Sequence, residues 1–220
     1  MADGCFITFE GIEGSGKSTQ ARRLARRLRA AGREVVETRE PGGTLAGEAI
    51  RKILKRGVGE ESLSAETELL LFAASRAQLV RKVIRPAIEA GAVVICDRFA
   101  DSTTVYQGIA RALGAEDVGR INAFAMGGIR PHLTLLLDLD VEEGFRRLHA
   151  APARRKAGPD RIERESRRFH EDVRRGYLRL AREEPRRFRV LQATREPAEV
   201  AETIWEWVSD ALRQQHSAAR

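Results

Sequence analysis

A glycine-rich run near the start of the chain has the residue types and spacing of a phosphate-binding loop. Its residues are Gly11, Ile12, Glu13, Gly14, Ser15, Gly16, Lys17 and Ser18, followed by Thr19. Backbone N–H groups in such a turn, together with the positive end of the following helix, form a concave site for anions. Lys17 can bridge the β- and γ-phosphates of ATP, and the Ser18 hydroxyl can bind Mg²⁺. The run predicts that residues 11–19 bind ATP.

A second group of charged residues is expected near this loop. Asp97 follows an apolar strand pattern, where a carboxylate can hold Mg²⁺, although a plain strand-end role is the alternative. Arg98 stands where mechanical and transport ATPases usually carry a glutamate, which disfavours hydrolysis. Arg39, Arg76 and Arg98 lie near the ends of predicted elements, and guanidinium groups bind phosphate in a bidentate manner. We therefore expect an anionic acceptor substrate, with Lys17 and Arg98 as catalytic residues.

Strand and helix patterns alternate along the chain, which indicates a parallel sheet with helices on both faces. The strand patterns cover residues 5–9, 34–38, 92–96, 133–137 and 188–191. Ser64 is expected to cap a long helix that Pro86 bends or ends, and a later helix is predicted over residues 163–181. The expected fold class is α/β, a three-layer P-loop NTPase fold, built as a single domain over residues 1–220.

Composition argues against several classes of protein. No apolar run in the 220 residues approaches the roughly 20 residues of a membrane span. The N-terminus lacks a signal-peptide pattern, so a cytoplasmic location is expected. Cys5 and Cys96 lie in apolar strand patterns and are expected to be buried rather than paired. The net charge of +7 is scattered and not interleaved with aromatic residues, so neither nucleic acid nor a membrane is expected as a partner.

Several motifs together resemble the thymidylate (dTMP) kinase family of P-loop nucleoside monophosphate kinases, over nearly the whole chain. They are Phe9–Thr19, Thr38–Thr44, Leu71–Arg76, Asp97–Phe99 with Ser102, Thr103, Tyr106 and Gln107, and Asp160–Glu163. The resemblance implies a five-stranded parallel sheet, a homodimer, and Mg²⁺-dependent transfer of the ATP γ-phosphoryl group to dTMP. The product would be dTDP, on the way to dTTP.

The resemblance also implies roles for residues at the acceptor. Glu13 would contact the deoxyribose 3′-hydroxyl, and Arg39 and Arg98 would hold the acceptor phosphate. Phe72 would stack on thymine, although its helical spacing alone more often indicates core packing. Because Arg76 follows Phe72 by four residues, both would project from one helical face. The remaining residues that the resemblance assigns to the base and sugar pocket are Ser102, Thr103, Tyr106 and Gln107.

Residues 151–162 are predicted to form a mobile lid within the domain, because they lack apolar periodicity and carry prolines, glycine and cations. Some members of the family carry a catalytic arginine in the phosphate loop, but this loop has no cation before Lys17. Lid closure could instead bring an arginine to the transferring phosphoryl group and exclude water. The candidates are Arg154, Arg155 and Arg161. Which one acts is left open, and a solvated basic loop is the alternative.

Two other functions are left open by the residues. One is a nucleotide kinase with another acceptor such as UMP or CMP, which Phe72, Arg76 and Tyr106 disfavour. The other is a P-loop switch or nucleic-acid-binding ATPase, which predicts slow hydrolysis without a nucleotide acceptor and salt-sensitive DNA binding. The scattered charge and Arg98 disfavour that second function.

Overall fold

The computed structural model describes residues 4–59, 61–150, 158 and 160–218, with side chains up to residue 214. Its strands are β1 (Cys5–Glu10), β2 (Val35–Arg39), β3 (Val93–Asp97), β4 (Leu133–Asp138) and β5 (Phe188–Gln192). Its helices are α1 (Lys17–Ala30), α2 (Leu45–Arg56), α3 (Ala65–Leu79), α4 (Arg85–Glu89), α5 (Ala100–Thr103), α6 (Ala115–Met126), α7 (Val141–Ala150), α8 (Arg167–Glu183) and α9 (Pro197–Ala218). Two π-helical segments, Val80–Ile84 and Thr104–Ala110, continue α3 and α5.

The five strands form one parallel sheet in the order β2-β3-β1-β4-β5. Every residue of β1 and β4 is buried, as expected where helices cover both faces of a parallel sheet. The α/β fold class and the five-stranded sheet are confirmed. The strand patterns in the sequence agree with the observed strands to within one residue at each end.

The core divides according to the two faces of the strands. Ile7 of β1 belongs to a large apolar cluster that includes Leu24 of α1. Its neighbour Phe6 belongs to a second cluster with Leu79 and Ile84. Successive side chains of a strand point to opposite faces, so β1 contributes to the core on both sides. No helix among the described residues is long and apolar enough to span a bilayer.

Helix boundaries follow local capping. The Ser64 hydroxyl accepts a hydrogen bond from the Thr67 backbone N–H at 3.2 Å, as predicted. The regular α-helix α3 ends at Leu79, and the chain continues through the π-helical segment into α4, whose second residue is Pro86. The regular helix is therefore interrupted just before this proline. The helix predicted from residue 163 begins at Arg167 instead, because the Ser166 hydroxyl accepts from the Phe169 N–H and so caps it there.

The loop after β1 packs backbone to backbone against α7. Gly14 has φ +76°, and a Cβ there would lie 2.3 Å from the carbonyl oxygen of Gly144 in α7. A Cβ on Gly144 would in turn lie 2.6 Å from the carbonyl oxygen of Glu13. Both distances are far below van der Waals contact, so glycine at each position permits this close approach.

We expect Gly144→Ala to lower the free energy of unfolding by about 1–3 kcal/mol, because the atom that it meets is backbone and cannot rotate away. Urea titration measures the change. Gly119→Ala in α6 is the matched control, since no atom lies within 4 Å of its Cβ position. That substitution should be neutral or stabilising by up to about 1 kcal/mol, through helix propensity. Equal stability of the two variants would contradict the close packing of the loop on α7.

Candidate active site

The loop from Gly11 to Gly16 has a backbone shape that glycines allow. Gly11, Gly14 and Gly16 have φ of 137°, 76° and 90°, in the region that other residues rarely adopt. Gly16 is also the residue before α1, and no side chain caps this helix. The first N–H groups of α1 are therefore left for an anion, as the sequence predicts for a phosphate loop.

Lys17 is buried and bound to its own loop. Its Nζ donates to the carbonyl oxygens of Gly11 at 3.0 Å and Ile12 at 2.7 Å, and to the Ser15 hydroxyl at 3.3 Å. Burial, followed by the positive charge of Arg98, lowers the pKa of Lys17 to about 8. The ammonium group is thus held within the loop, and it is mostly protonated at neutral pH.

The Ser18 hydroxyl donates a hydrogen bond to Oδ2 of Asp97, at the end of β3. The two predicted magnesium ligands are therefore adjacent, and both present the oxygen atoms that Mg²⁺ prefers. In the part of the chain that the structure describes, no group of three or more His, Cys, Asp or Glu side chains could hold a metal. This donor pair fits an ion that takes its other ligands from water and phosphate, as Mg²⁺ commonly does.

A cleft of about 550 Å³ joins the phosphate loop to the predicted acceptor residues. The predicted ATP-binding residues that line it are Glu13, Gly14, Gly16, Lys17, Ser18 and Thr19. The predicted dTMP-binding residues that line it, besides Glu13, are Arg39, Phe72, Arg98, Ser102, Thr103, Tyr106 and Gln107. Asp97 also lines the cleft. Such a cleft is large enough for small-molecule substrates.

Arg98 and Glu13 form an ion pair within the cleft. Arg98 has φ 71°, unusual for a residue other than glycine, and its Nη2 lies 2.7 Å from Oε1 of Glu13. Tyr106 also donates to the Glu13 carboxylate, at 2.9 Å. Burial raises the pKa of Glu13, but Arg98, a hydrogen bond with His170 and the charge of Lys17 together hold it well below its usual range. Both members of the pair are therefore charged at neutral pH.

A buried carboxylate, that of Glu10, binds residues next to this ion pair. Glu10 accepts hydrogen bonds from the Phe99 N–H at 2.8 Å and from the hydroxyls of Ser102 and Tyr177 at 2.7 Å each. Burial, followed by the negative charge of Asp101, raises the pKa of Glu10 to about 7. The Glu10 carboxyl therefore gains or loses a proton near neutral pH.

Comparison with known proteins gives one consistent answer. The family model described as thymidylate kinase matches residues 9–204. The thymidylate kinase of Deinococcus radiodurans is 50% identical over 211 residues, which cover 96% of this chain and 98% of that protein. That of Syntrophotalea carbinolica is 49% identical over 209 residues, covering 94% and 96% respectively. The crystal structure of thymidylate kinase from Ehrlichia chaffeensis superposes with a TM-score of 0.70 at 33% identity, covering 92% of this chain and 99% of that one.

The chain belongs to the thymidylate kinase family. The resemblance seen in the motifs is thereby confirmed, and the protein is a phosphotransferase. None of these comparisons tests the roles of individual residues, which therefore stay predictions.

Some residues that thymidylate kinase motifs place at the site do not line the cleft. Gly11, Ile12 and Ser15 serve instead as backbone and side-chain acceptors of Lys17. Arg76 is fully buried, and its guanidinium donates to Glu40, Asn122 and Thr103. Arg76 donates to the hydroxyl of Thr103 at 2.9 Å, and Thr103 does line the cleft, so the role of Arg76 at the base edge stays a prediction.

The lid arginines are only partly described. Arg154 and Arg155 lie outside the described residues. Arg161 does not line the cleft: its Nε donates to the carbonyl oxygen of Leu54 at 3.1 Å, and its Nη2 pairs with Glu68. In this structure Arg161 fastens the end of the lid segment to α2 and α3, and its catalytic role stays a prediction.

The structure also places residues in the cleft that the motifs did not single out. Arg51 and Lys55 of α2 and Arg147 of α7 all line it. Arg51 and Lys55 are four residues apart and so share a helix face, which is a signal that the sequence contains. Nothing in the sequence separates Arg147 from the neighbouring Arg146, because only the fold shows which of them faces the cleft.

Glu10→Gln should remove a pH-dependent loss of stability. The folded-state pKa of Glu10 is raised from 4.5 to about 7, so its stabilising contribution is complete below about pH 4.5 and is lost as pH rises through 7. Relative to Glu10→Gln, the unfolding free energy of the unmodified protein should fall by on the order of 1–3 kcal/mol between about pH 5 and about pH 8. Urea unfolding at both pH values measures this, and the exposed Glu206→Gln should show no such trend. A difference that is constant with pH would count against a raised pKa.

Proposed function

We propose that this chain transfers the γ-phosphoryl group of ATP to dTMP, giving dTDP in the synthesis of dTTP, with Mg²⁺ as cofactor. The observation that carries the proposal is one cleft, in a member of the thymidylate kinase family, that is lined both by the phosphate loop and by Phe72, Arg98 and Tyr106. Two anionic substrates in one cleft can be held close enough for direct transfer.

The donor end would hold ATP through residues 11–19. Backbone N–H groups of the loop and of the first turn of α1 would receive the phosphates. Lys17 would exchange its present acceptors, the carbonyl oxygens of Gly11 and Ile12, for phosphate oxygens. The charge of a bound phosphate favours the ammonium form and would raise the lowered pKa of Lys17.

Ser18 and Asp97 are the residues that would hold Mg²⁺, since their side-chain oxygens are already in contact. When bound, the ion neutralises charge on the donor phosphates. The side chains of Lys17 and Arg98 would supply the positive charge that this chain itself contributes.

The acceptor end would hold dTMP. Arg98, whose Nη2 lies 2.7 Å from Oε1 of Glu13, would bind the monoester phosphate. Arg39, which lines the same cleft and pairs with Glu48 at 2.7 Å, would bind it too. Phe72 would stack on thymine, and Glu13 would receive the 3′-hydroxyl. The residues that would complete the base and sugar pocket are Arg76, Ser102, Thr103, Tyr106 and Gln107.

The chemistry needs little from the protein beyond alignment. A phosphate monoester oxygen is already a nucleophile at neutral pH, so no strong general base is required. Holding that oxygen in line with the γ-phosphorus and neutralising the charge supply most of the rate increase. Arg154, Arg155 or Arg161 would add charge, and exclusion of water by residues 151–162 would suppress hydrolysis.

We further propose a homodimer in the cytoplasm. Leu70 of α3 and Phe124 of α6 are 57% and 79% exposed, on two helices that pack against each other, and large exposed apolar side chains mark interaction surfaces. Both cysteines are free and buried, which suits a reducing compartment.

Lys17→Ala should reduce turnover by roughly 10²- to 10³-fold, because a positioned charge on the transferring group is lost. The dTMP affinity should be largely preserved, since Lys17 lies at the donor end of the cleft. A coupled assay of ADP release, with and without dTMP, measures turnover, and calorimetry measures dTMP binding.

The same assay decides between acceptors. ADP release by the unmodified protein should depend on dTMP and be weak with UMP or CMP. Release that needs no acceptor would indicate an ATPase and overturn the proposal, as would a preference for UMP or CMP. Turnover by Lys17→Ala comparable to that of the unmodified protein would contradict the role of the phosphate loop.

Phe124→Glu should convert the dimer to a monomer, because a charge would be buried in the interface. Light scattering coupled to gel filtration measures the mass. Val190→Glu, at a partly exposed position on the edge strand β5, is the control and should leave the dimer intact. A Phe124→Glu protein of unchanged mass would rule out this face of α6 as the interface.

A further inference from the structure

Tyr177 is a buried residue of α8 that does not line the cleft and that no motif singles out. Its hydroxyl nevertheless contacts residues of the predicted acceptor site. It donates to Oε2 of Glu10 at 2.7 Å and lies 2.7 Å from the Ser102 hydroxyl. It also accepts from Nη1 of Arg98 at 3.2 Å. One phenol from outside the cleft thus touches three residues that support or form the acceptor site.

Arg98 is held at both ends of its guanidinium group. Nη2 contacts Glu13, whereas Nη1 donates to the hydroxyls of Ser102 and Tyr177, each at 3.2 Å. A guanidinium fixed only at Nη2 could still rotate about that contact. Two hydroxyl acceptors at Nη1 fix the plane of the guanidinium group, and bidentate binding of a phosphate depends on the orientation of that plane.

The hydroxyls are themselves held by the Glu10 carboxyl. Oε2 of Glu10 and the oxygens of Ser102 and Tyr177 form a triangle with three edges of 2.7 Å. Both hydroxyls donate to Oε2, so their oxygens present lone pairs to Nη1 of Arg98.

We propose that Tyr177 is a positioning residue, which sets the orientation of Arg98 for the acceptor phosphate. The inference rests on the proposed function, since it assumes that Arg98 binds the phosphate of dTMP. Tyr177 does not touch the substrate and acts only through Arg98 and Ser102.

A purely structural role is the competing explanation, because the Tyr177 ring also packs edge-on against Tyr106, with ring centroids 6.3 Å apart. Tyr177→Phe separates the two roles. It keeps the ring and its packing and removes only the hydroxyl, so a packing role predicts little change.

The test compares dTMP with thymidine, which lacks the phosphate. Calorimetry of Tyr177→Phe should show dTMP binding weakened by about 5- to 30-fold, as for loss of a hydrogen bond to a charged group. Thymidine binding should change by less than about twofold, because thymidine lacks the phosphate that Arg98 would bind. In kinetics the KM for dTMP should rise while the KM for ATP stays unchanged.

Ser166→Ala is the matched control on the same helix. It removes the N-cap of α8, where the Ser166 hydroxyl accepts from the Phe169 N–H at 3.2 Å, and so weakens the helix without touching Arg98. It should leave the ratio of thymidine to dTMP dissociation constants unchanged. If Ser166→Ala reproduces the selective loss of dTMP affinity, the effect comes from the helix and the proposal is overturned.

The remaining outcomes are also decisive. Equal weakening of dTMP and thymidine by Tyr177→Phe would show a structural role, and unchanged dTMP binding would show no role. Either result overturns the inference and leaves the proposed function intact, provided that the unmodified protein phosphorylates dTMP. If the unmodified protein binds dTMP no better than thymidine, the phosphate role of Arg98 fails, and this inference fails with it.

Discussion

The parallel pairing of β1 with β3 is the constraint on which the site depends. Phe9 pairs with Asp97 at the carboxyl ends of the two strands, and one residue further the Arg98 N–H donates to the Phe9 carbonyl at 3.0 Å. The phosphate loop leaves β1 at this edge, and Asp97 and Arg98 leave β3 beside it. Ligand sites of open parallel sheets lie at such edges. The register of a single strand pair therefore fixes the distance between the donor and acceptor ends of the cleft.

The buried charged groups at this edge of the sheet are each paired with an opposite charge or hydrogen-bonded, one group to the next. Arg98 pairs with Glu13 in the cleft and contacts the hydroxyls that donate to Glu10. Asp101, whose negative charge acts on Glu10, pairs in turn with Arg187 at 2.6 Å. A buried charge without a partner is strongly destabilising, whereas a paired and hydrogen-bonded one is tolerated. These contacts allow a cationic acceptor site to exist inside the protein before any substrate neutralises it.

The sequence was sufficient for the features that local pattern determines. Strand patterns, the glycines of the phosphate loop and Ser64 as a cap each depend on neighbours within a few residues. The burial of Arg76 could not be predicted, because its partners Glu40 and Asn122 are distant in the chain. For the same reason the i+4 spacing from Phe72 suggested one shared face, whereas Phe72 lines the cleft and Arg76 lies in the interior. The role of Tyr177, which meets Glu10 from 167 residues away, has no local signature either.

The three contacts of Lys17 with its own loop have a thermodynamic consequence. Its hydrogen bonds keep the loop near its phosphate-binding conformation while no nucleotide is present. Capture of ATP then replaces one set of oxygen acceptors by another and needs little ordering of the chain. Such preorganisation reduces the entropy lost on association. The affinity for the donor accordingly depends on the difference in free energy between two hydrogen-bonded states of the Lys17 ammonium group. A change in the loop that alters only the nucleotide-free state would therefore alter the affinity.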